Sequence, residues 1–368
     1  MSIPVRHAQS PIGARMNING REVDYYCGTS YYTLHGNPQV IAAASEAMQQ
    51  FGIAPATSLA MTPYEELEDL AKSFFDAGSV SYIASGYLGM MVLAQALRDD
   101  YDIILVDELS HYSIVDAAAT MGKKIVPFRH LDPEDLTEKL RAHVQPGRTP
   151  LVATDGVFPV TGAIAPLLDY TSVLERYQEA VLCVDDSHAV GVIGEKGRGT
   201  FEYCGMTSAV KHYFSGTLSK AFGGFGGIVV GDGPLEEKIE KNVRVPLGAS
   251  RPPIPAAAAS SMGIKLLRDH PEMRQRLWRN VKQVRDGLRN LGFDIPDTPI
   301  PIVNLKGASS LDLEHVQEEL YSKDIVVAHI PPRGYSDAPD VASLRIAVFS
   351  THSSQQIERL LATIKSAI

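Results

Sequence analysis

The sequence predicts an α/β fold: a large domain with a mostly parallel sheet covered by helices, followed by a smaller α+β C-terminal domain. Short apolar runs alternate with helical patterns between about residues 79 and 242, which is typical of a sheet covered on both faces. A segment with three prolines, at residues 244–253, then ends the alternation. The 368 residues exceed what one small core requires, which favours two domains.

Local signals predict the elements of the large domain. A helix begins at Pro38 after the capping residue Asn37, and a second covers residues 64–75, where Leu67 and Phe74 lie two turns apart on one face. Further strands are predicted at residues 80–84, 102–107, 151–155, 180–186 and 226–231, and further helices at residues 87–97, 112–121, 167–178 and 235–242.

The C-terminal part is predicted to begin with one long helix at residues 255–291. It continues as a small unit with strands at residues 301–305, 325–330 and 343–349, and with helices at residues 312–322 and from about residue 354. We therefore predict an N-terminal arm at residues 1–36, a large cofactor-binding domain at residues 37–248 and a small domain at residues 249–368.

Composition excludes several classes of protein. A net charge of -9 disfavours non-specific binding to nucleic acid. Three widely spaced cysteines predict neither a disulfide framework nor a zinc site, so we expect no metal. The N-terminus lacks the apolar core of a secretory signal, and no run approaches the roughly 18 apolar residues of a membrane span. We therefore expect a cytoplasmic protein without a membrane partner.

A lysine among small residues is the sharpest chemical feature of the sequence. Lys220 follows Ser215 and Thr217, and a glycine-rich stretch at residues 223–227 comes after it. A lysine that forms a Schiff base needs a pocket that lowers its pKa, and glycines let a cofactor approach the backbone. An isolated lysine is usually a solvated side chain, but this setting favours covalent attachment of pyridoxal 5′-phosphate (PLP).

A second segment places charged side chains at the end of an apolar strand. Asp185 and Asp186 follow this strand, and His188 comes three residues after Asp185. In open α/β sheets, ligands bind outside the carboxyl ends of the strands. A carboxylate there can keep the pyridine nitrogen of PLP protonated, and His188 can donate to the phenolic oxygen. The alternative for either Asp is capping of the next turn, a role that we assign to Asp186.

Two further strand ends carry candidate cofactor residues. Ser85, Gly86 and Tyr87 stand between a strand and a helix start, where backbone N–H groups can bind phosphate. His111 follows another apolar strand and can stack on the cofactor ring, although an ordinary histidine at a helix start is the alternative. Arg345 lies in a late strand and is suited to hold a substrate carboxylate, with an exposed strand arginine as the alternative.

These motifs together resemble the fold-type I PLP-dependent transferases. The pattern comprises Asp185-x-x-His188, Thr217-x-x-Lys220 and a histidine at position 111 after a strand. More narrowly it resembles the α-oxoamine synthase family, which includes glycine C-acetyltransferase and 8-amino-7-oxononanoate synthase. The resemblance extends from about residue 31 to the C-terminus, and the run at residues 184–199 is its most specific part.

The resemblance implies a role for each catalytic candidate. Lys220 would form the internal aldimine with PLP and carry a proton once it is released. Asp185 would pair with the pyridine nitrogen, and His188 would contact the phenolic oxygen. His111 would stack on the ring and polarise the carbonyl of an acyl thioester. The four residues would thus form the catalytic set.

It also implies the remaining ligands. Backbone N–H groups of Gly86 and Tyr87, beside Ser85, would bind the phosphate together with the Thr217 hydroxyl. Arg345 would bind the carboxylate of the amino-acid substrate. The family is homodimeric, so the resemblance predicts a homodimer.

Three functions remain open from the sequence. The first is an acyltransferase that condenses an amino acid with acyl-CoA. The second is an aminotransferase, racemase, epimerase or aldolase that acts on an amino acid without CoA, because segments at residues 30–33, 52–64 and 159–162 differ from the family pattern. The third is a non-catalytic binding module, which the presence of Lys220, Asp185 and His188 disfavours.

Overall fold

The computed structural model of this chain describes residues 6–57, 59–306 and 312–368, and these fall into two compact units. The larger unit comprises Gln39–Phe158 and Ala163–Asp269, and the smaller comprises the described part of Met1–Pro38, Pro159–Gly162 and His270–Ile368. The sequence predicts a junction near residue 248 and a separate arm, whereas the units divide after Asp269 and the arm groups with the C-terminal residues.

The strands of the described residues run in chain order from the arm to the C-terminal unit. They are β1 (Arg15–Ile18), β2 (Arg21–Tyr25), β3 (Ser79–Ile83), β4 (Ile103–Asp107), β5 (Lys124–Phe128), β6 (Pro150–Asp155), β7 (Val181–Asp185), β8 (Lys211–Thr217), β9 (Gly227–Gly231), β10 (Ile302–Lys306), β11 (Ile325–Val326), β12 (Ala328–Ile330) and β13 (Ser343–Ala347).

The helices follow the same order, with short 3-10 turns at Leu34–Gly36 and Gly86–Leu88. They are α1 (Pro38–Phe51), α2 (Thr62–Phe75), α3 (Gly89–Ala96), α4 (Tyr112–Ala119), α5 (Pro133–His143), α6 (Leu167–Leu174), α7 (Thr200–Tyr203), α8 (Gly233–Asn242), α9 (Val245–Gly248), α10 (Ile254–Asp269), α11 (Pro271–Asn290), α12 (Leu313–Ser322) and α13 (Ser354–Ala367). Across the described residues, we find no helix long and apolar enough to cross a membrane.

The large unit is built on one sheet with the strand order β3-β9-β8-β7-β6-β4-β5. The five strands from β8 to β5 are parallel, and β9 runs antiparallel to both of its neighbours. Strands β4, β6 and β7 are buried along their whole length, as expected for parallel strands covered on both faces. The predicted α/β class with a mostly parallel sheet is confirmed.

Some elements differ from the sequence prediction for identifiable reasons. Strand β5 is missing from the prediction because Pro127 interrupts its apolar pattern, which the sheet tolerates since β5 lies at its edge. Strand β8 is missing because its residues are largely polar or small. The predicted helix at residues 255–291 is two helices, since Pro271 cannot continue α10 but suits the first position of α11.

The small unit contains two three-stranded sheets with the orders β1-β2-β11 and β10-β13-β12. In the second sheet, β13 lies in the centre and pairs antiparallel with both neighbours, so Arg345 stands opposite Asn304 and Ala328. All five residues of β13 are buried. Arg345 is therefore a buried residue rather than an exposed strand arginine.

Candidate active site

The carboxyl ends of three adjacent parallel strands bring polar residues together in the large unit. Asp155 at the end of β6 is in register with Asp185 at the end of β7, and Asp185 is in register with Ser215 on β8. The backbone N–H of Asp186 donates to the Ser215 carbonyl at 2.7 Å, which extends the pairing past the strand end. Asp155, Asp185 and Ser215 are therefore neighbours at this edge of the sheet.

Lys220 lies in the loop that follows β8 and points to the turn after β7. Its Nζ is 2.9 Å from Nε2 of His188, a side chain that is itself buried. Gly226 closes the loop, because its carbonyl accepts from the N–H of Leu218 at 2.9 Å. Gly226 has φ of 92°, and a Cβ there would lie 2.8 Å from the Ile83 carbonyl, so only glycine suits this position.

Asp185 is held by donors from two segments. Its carboxylate accepts from the Ser113 hydroxyl at 3.2 Å and from the backbone N–H of Ser187 at 3.1 Å. Ser113 also lies 2.7 Å from Nδ1 of His111, and the backbone N–H of His111 donates to Asp155 at 2.8 Å. The start of α4 is therefore fixed to the ends of β6 and β7, through His111 and Ser113 respectively.

The turn before α3 approaches the end of β8 closely. A Cβ on Gly86 would lie 2.7 Å from Cβ of Thr217, so glycine is required for this contact. Ser85 caps the turn, with its hydroxyl accepting from the N–H of Tyr87 at 3.2 Å. The Thr217 hydroxyl donates to the Gly226 carbonyl at 3.1 Å. The structure therefore brings the four predicted phosphate ligands, Ser85, Gly86, Tyr87 and Thr217, to one place.

In the next turn the N–H of Ser187 donates to Asp185, whereas Asp186, the predicted cap of that turn, contacts a more distant segment. Asp186 accepts from the backbone N–H of Thr200 at 2.7 Å and from the Thr200 hydroxyl. Burial raises the pKa of Asp186 to about 7, the Thr200 hydrogen bonds oppose this rise, and the charge of Asp185 adds to it. Asp186 therefore fixes the loop between β7 and α7.

Arg345 belongs to the small unit, because β13 is one of its strands. Within that unit its Nε donates to the Pro159 carbonyl at 2.7 Å, and Nη1 donates to the Gly28 carbonyl at 3.2 Å. Two backbone carbonyls thus hold the guanidinium in one orientation.

Two residues of the site, Ser113 and Asp155, have no role in the sequence-based prediction. Ser113 was not singled out, because a serine in a helix start carries no signal of its own. Asp155 is an acidic residue at a predicted strand end, and this position is the signal that identifies it.

Among the described residues, no group of three or more His, Cys, Asp or Glu side chains is arranged to hold a metal ion.

The arrangement fits PLP. Lys220 supplies an amine beside a histidine, and Asp185 supplies a buried carboxylate at the neighbouring strand end. Ser215 lies two residues before Thr217. Its buried hydroxyl has no hydrogen-bond partner among the described residues. The close contact of Gly86 with Thr217 brings the backbone of the turn and a hydroxyl side by side, the two kinds of group that bind phosphate.

Comparison with known proteins decides the family. The profile of the aminotransferase class I and II family matches residues 28–364. The chain belongs to this family. It is 31% identical over 363 residues to 8-amino-7-oxononanoate synthase of Nitrosococcus oceani, with 98% of this chain and 95% of that protein covered. This match also shows membership of the α-oxoamine synthase family, as the sequence predicts.

Solved structures agree with this assignment. Serine palmitoyltransferase of Sphingomonas wittichii has a TM-score of 0.88 at 28% identity, with 98% of this chain and 90% of that chain covered. A variant of serine palmitoyltransferase from S. paucimobilis with a bound PLP–myriocin aldimine has a TM-score of 0.90 at 25% identity, covering 99% and 92%. The predictions of a fold-type I PLP transferase, of PLP as cofactor and of a PLP-dependent acyltransferase are confirmed.

Proposed function

We propose that this enzyme condenses an α-amino acid with an acyl thioester to give an α-amino ketone. A bond forms between the amino acid's Cα and the acyl carbon, the thiol leaves, and the substrate carboxylate leaves as carbon dioxide. The contact between Lys220 Nζ and His188 Nε2, at 2.9 Å, carries this proposal because it places an amine at the strand edge where the cofactor residues meet. The curated relatives are named for an amino ketone of this class, an 8-amino-7-oxo acid.

Lys220 and His188 act as a pair in this scheme. When bound, PLP supplies the electron sink that stabilises negative charge at the substrate's Cα. Lys220 would hold PLP through Nζ and would then carry a proton at that atom. His188 contacts Nζ and would donate to the phenolic oxygen of the cofactor.

Asp185 and the residues at the start of α4 have the next roles in the proposed reaction. The buried Asp185 carboxylate would keep the pyridine nitrogen protonated, since a nearby opposite charge favours the protonated form. The Ser113 hydroxyl orients this carboxylate and also contacts His111. We assign to His111 the stacking contact with the cofactor ring and polarisation of the thioester carbonyl.

The remaining assignments concern the phosphate and the substrate. Ser85, Gly86, Tyr87 and Thr217 would bind the phosphate of the cofactor. We assign the substrate carboxylate to Arg345, because an arginine held by backbone carbonyls presents its donors in one direction.

We also propose that the enzyme is a cytoplasmic homodimer. Apolar side chains are exposed near the site, including Tyr87 and, on α4, Tyr112 and Val115. Ile41 and Met48 are likewise exposed on α1. The rings of Tyr87 and Tyr112 both contact His111, and a second copy of the chain suits an exposed apolar patch of this kind. The cysteines of the described residues carry free thiols, as in a reducing compartment.

Release of free thiol tests the reaction. The purified enzyme with PLP would be incubated with glycine, alanine or serine and with acyl thioesters of different lengths, and the product identified by mass. We expect amino-acid-dependent thiol release and an amino ketone, both absent in Lys220→Ala. Transfer of the amino group to a keto acid without thiol release would overturn acyl transfer in favour of transamination.

Sedimentation at several protein concentrations would test the proposed dimer, and a monomer at every concentration would contradict it.

A further inference from the structure

The orientation of Arg345 depends on a short turn of the chain. The Pro159 carbonyl accepts from Arg345 Nε at 2.7 Å, and Pro159 is the first residue of the Pro159–Gly162 segment that groups with the small unit. Nε is engaged in this contact and Nη1 donates to the Gly28 carbonyl at 3.2 Å, so these two contacts fix the direction of the guanidinium. The position of the turn is therefore one of two supports that determine where Arg345 offers its remaining donors.

A buried carboxylate holds this turn. Asp337, in the loop between β12 and β13, is 1% exposed. Its Oδ1 accepts from the N–H of Val160 at 2.9 Å, and its Oδ2 accepts from the Thr161 N–H at 2.8 Å and the Thr161 hydroxyl at 2.7 Å. Charge-assisted hydrogen bonds of this kind are about twice as strong as neutral ones. Asp337 thereby fixes the two residues that follow Pro159.

The other end of the turn packs on the sheet that carries Arg345. Gly162 has φ of 68°, and a Cβ there would lie 2.6 Å from the Ile302 carbonyl on β10. β10 pairs directly with β13. The turn is thus held by Asp337 on one side and by the sheet on the other, so its Pro159 carbonyl has little freedom to move.

We propose that Asp337 is a positioning residue that sets the direction of Arg345 and so the enzyme's selectivity for amines that carry an α-carboxylate. The inference rests on the proposed role of Arg345 in binding the substrate carboxylate. Asp337 contacts Val160 and Thr161 and acts on the substrate through Pro159 and Arg345. Loss of its charge leaves Arg345 present but misdirected, which weakens binding of the carboxylate and spares the thioester.

The test compares Asp337→Asn and Thr161→Val with the matched control Asp340→Asn. Asp340 lies in the same loop but is exposed, where it pairs with Arg333 at 2.6 Å. Binding of alanine and of ethylamine, its counterpart without a carboxylate, would be measured in the holoenzyme by cofactor absorbance. KM for amino acid and thioester, and kcat, would be measured alongside. Arg345→Lys serves as the reference for the role of Arg345.

We expect Asp337→Asn to raise the Kd and KM for alanine about tenfold, which corresponds to the loss of one well-placed charged contact. Thr161→Val, which removes one of the hydrogen bonds, raises both by a smaller factor of about three. Ethylamine binding and the KM for thioester stay within about twofold of wild type in both variants. Asp340→Asn behaves as wild type.

The outcomes separate this inference from the proposed function. If Arg345→Lys raises the alanine KM and neither Asp337→Asn nor Thr161→Val does, the positioning role is wrong and the role of Arg345 stands. If Arg345→Lys leaves the alanine KM unchanged, the role of Arg345 itself is wrong. Equal loss of alanine and ethylamine binding in Asp337→Asn would show a general structural role and overturn the inference. Should Asp337→Asn not fold, Thr161→Val alone decides.

Discussion

Nζ of Lys220 lies 2.9 Å from Nε2 of His188, although the two residues are 32 positions apart in the chain. The contact joins the turn after β7 to the loop after β8, two parallel neighbours in the sheet. It gives the amine a fixed neighbour at the carboxyl edge of the strands, where ligands of open α/β sheets bind.

Replacement of Lys220 by alanine is expected to abolish both the visible absorption of the Schiff base and thiol release. The physical reason is that the covalent bond to the cofactor forms at Nζ, which no other side chain supplies in our assignment. Absorbance spectra of the purified protein with PLP measure this directly. Lys241→Ala, which changes an exposed lysine on α8, is the control and should keep the spectrum. A Lys220→Ala protein that keeps a Schiff-base spectrum would contradict the site assignment.

Replacement of Asp185 by asparagine is expected to lower kcat by roughly 100-fold, the usual scale for removal of one preorganised electrostatic group. The amide keeps the size of the side chain but loses the charge that holds the pyridine nitrogen protonated. Ser113→Ala, which removes only the hydroxyl 3.2 Å from this carboxylate, should have a smaller effect of about threefold to tenfold. Steady-state kinetics at saturating substrate check both, and equal kcat values for wild type and Asp185→Asn would refute the role.

Replacement of Gly86 by alanine is expected to weaken PLP binding about tenfold or more, equivalent to at least about 1.4 kcal/mol. The added Cβ would lie 2.7 Å from Cβ of Thr217, so the turn before α3 must move away from the end of β8. Equilibrium titration of the apoenzyme with PLP gives the Kd. Gly233→Ala is the matched control, because a Cβ there meets nothing within 4 Å. Unchanged affinity in Gly86→Ala would mean that the phosphate binds elsewhere.

The stability of the protein is expected to depend on pH through Asp186. Burial raises the pKa of this carboxyl from 3.8 in the unfolded chain to about 7. Between about pH 4 and pH 7 the folded protein keeps the proton while the unfolded chain loses it. The free energy of unfolding therefore falls as pH rises through this interval, by up to about 1.4 kcal/mol per pH unit, and the contribution is constant above it.

Asp186→Asn removes this contribution, since its amide can keep both contacts with Thr200 without a titratable proton. We expect the variant to gain stability relative to wild type as pH rises from 5 to 8, measured by urea unfolding. Asp99→Asn, at an exposed aspartate, should follow the wild-type pH dependence. A constant difference between Asp186→Asn and wild type across this range would disprove the explanation.

The strands and helices that the sequence predicts well are those with strong local patterns. The buried runs of β4, β6 and β7 and the amphipathic α2 are of this kind. Strands β5 and β8 were not predictable, because Pro127 and the polar residues of β8 hide the pattern and only their neighbours in the sheet stabilise them. The same holds for the hairpin of β1 and β2, whose second strand pairs with the distant β11.

The sequence by itself determined the cofactor, and it left acyl transfer and reactions without CoA open. Lys220 with Thr217, and His188 with Asp185, lie three residues apart, so each pair follows from one strand and the turn after it. Only the tertiary structure decided which of these segments meet. Ser113 reaches Asp185 across 72 positions, and Thr161 reaches Asp337 across 176. Such contacts depend on strand order and on how turns pack against a sheet, and local spacing carries no information about either, because it records only near neighbours along the chain.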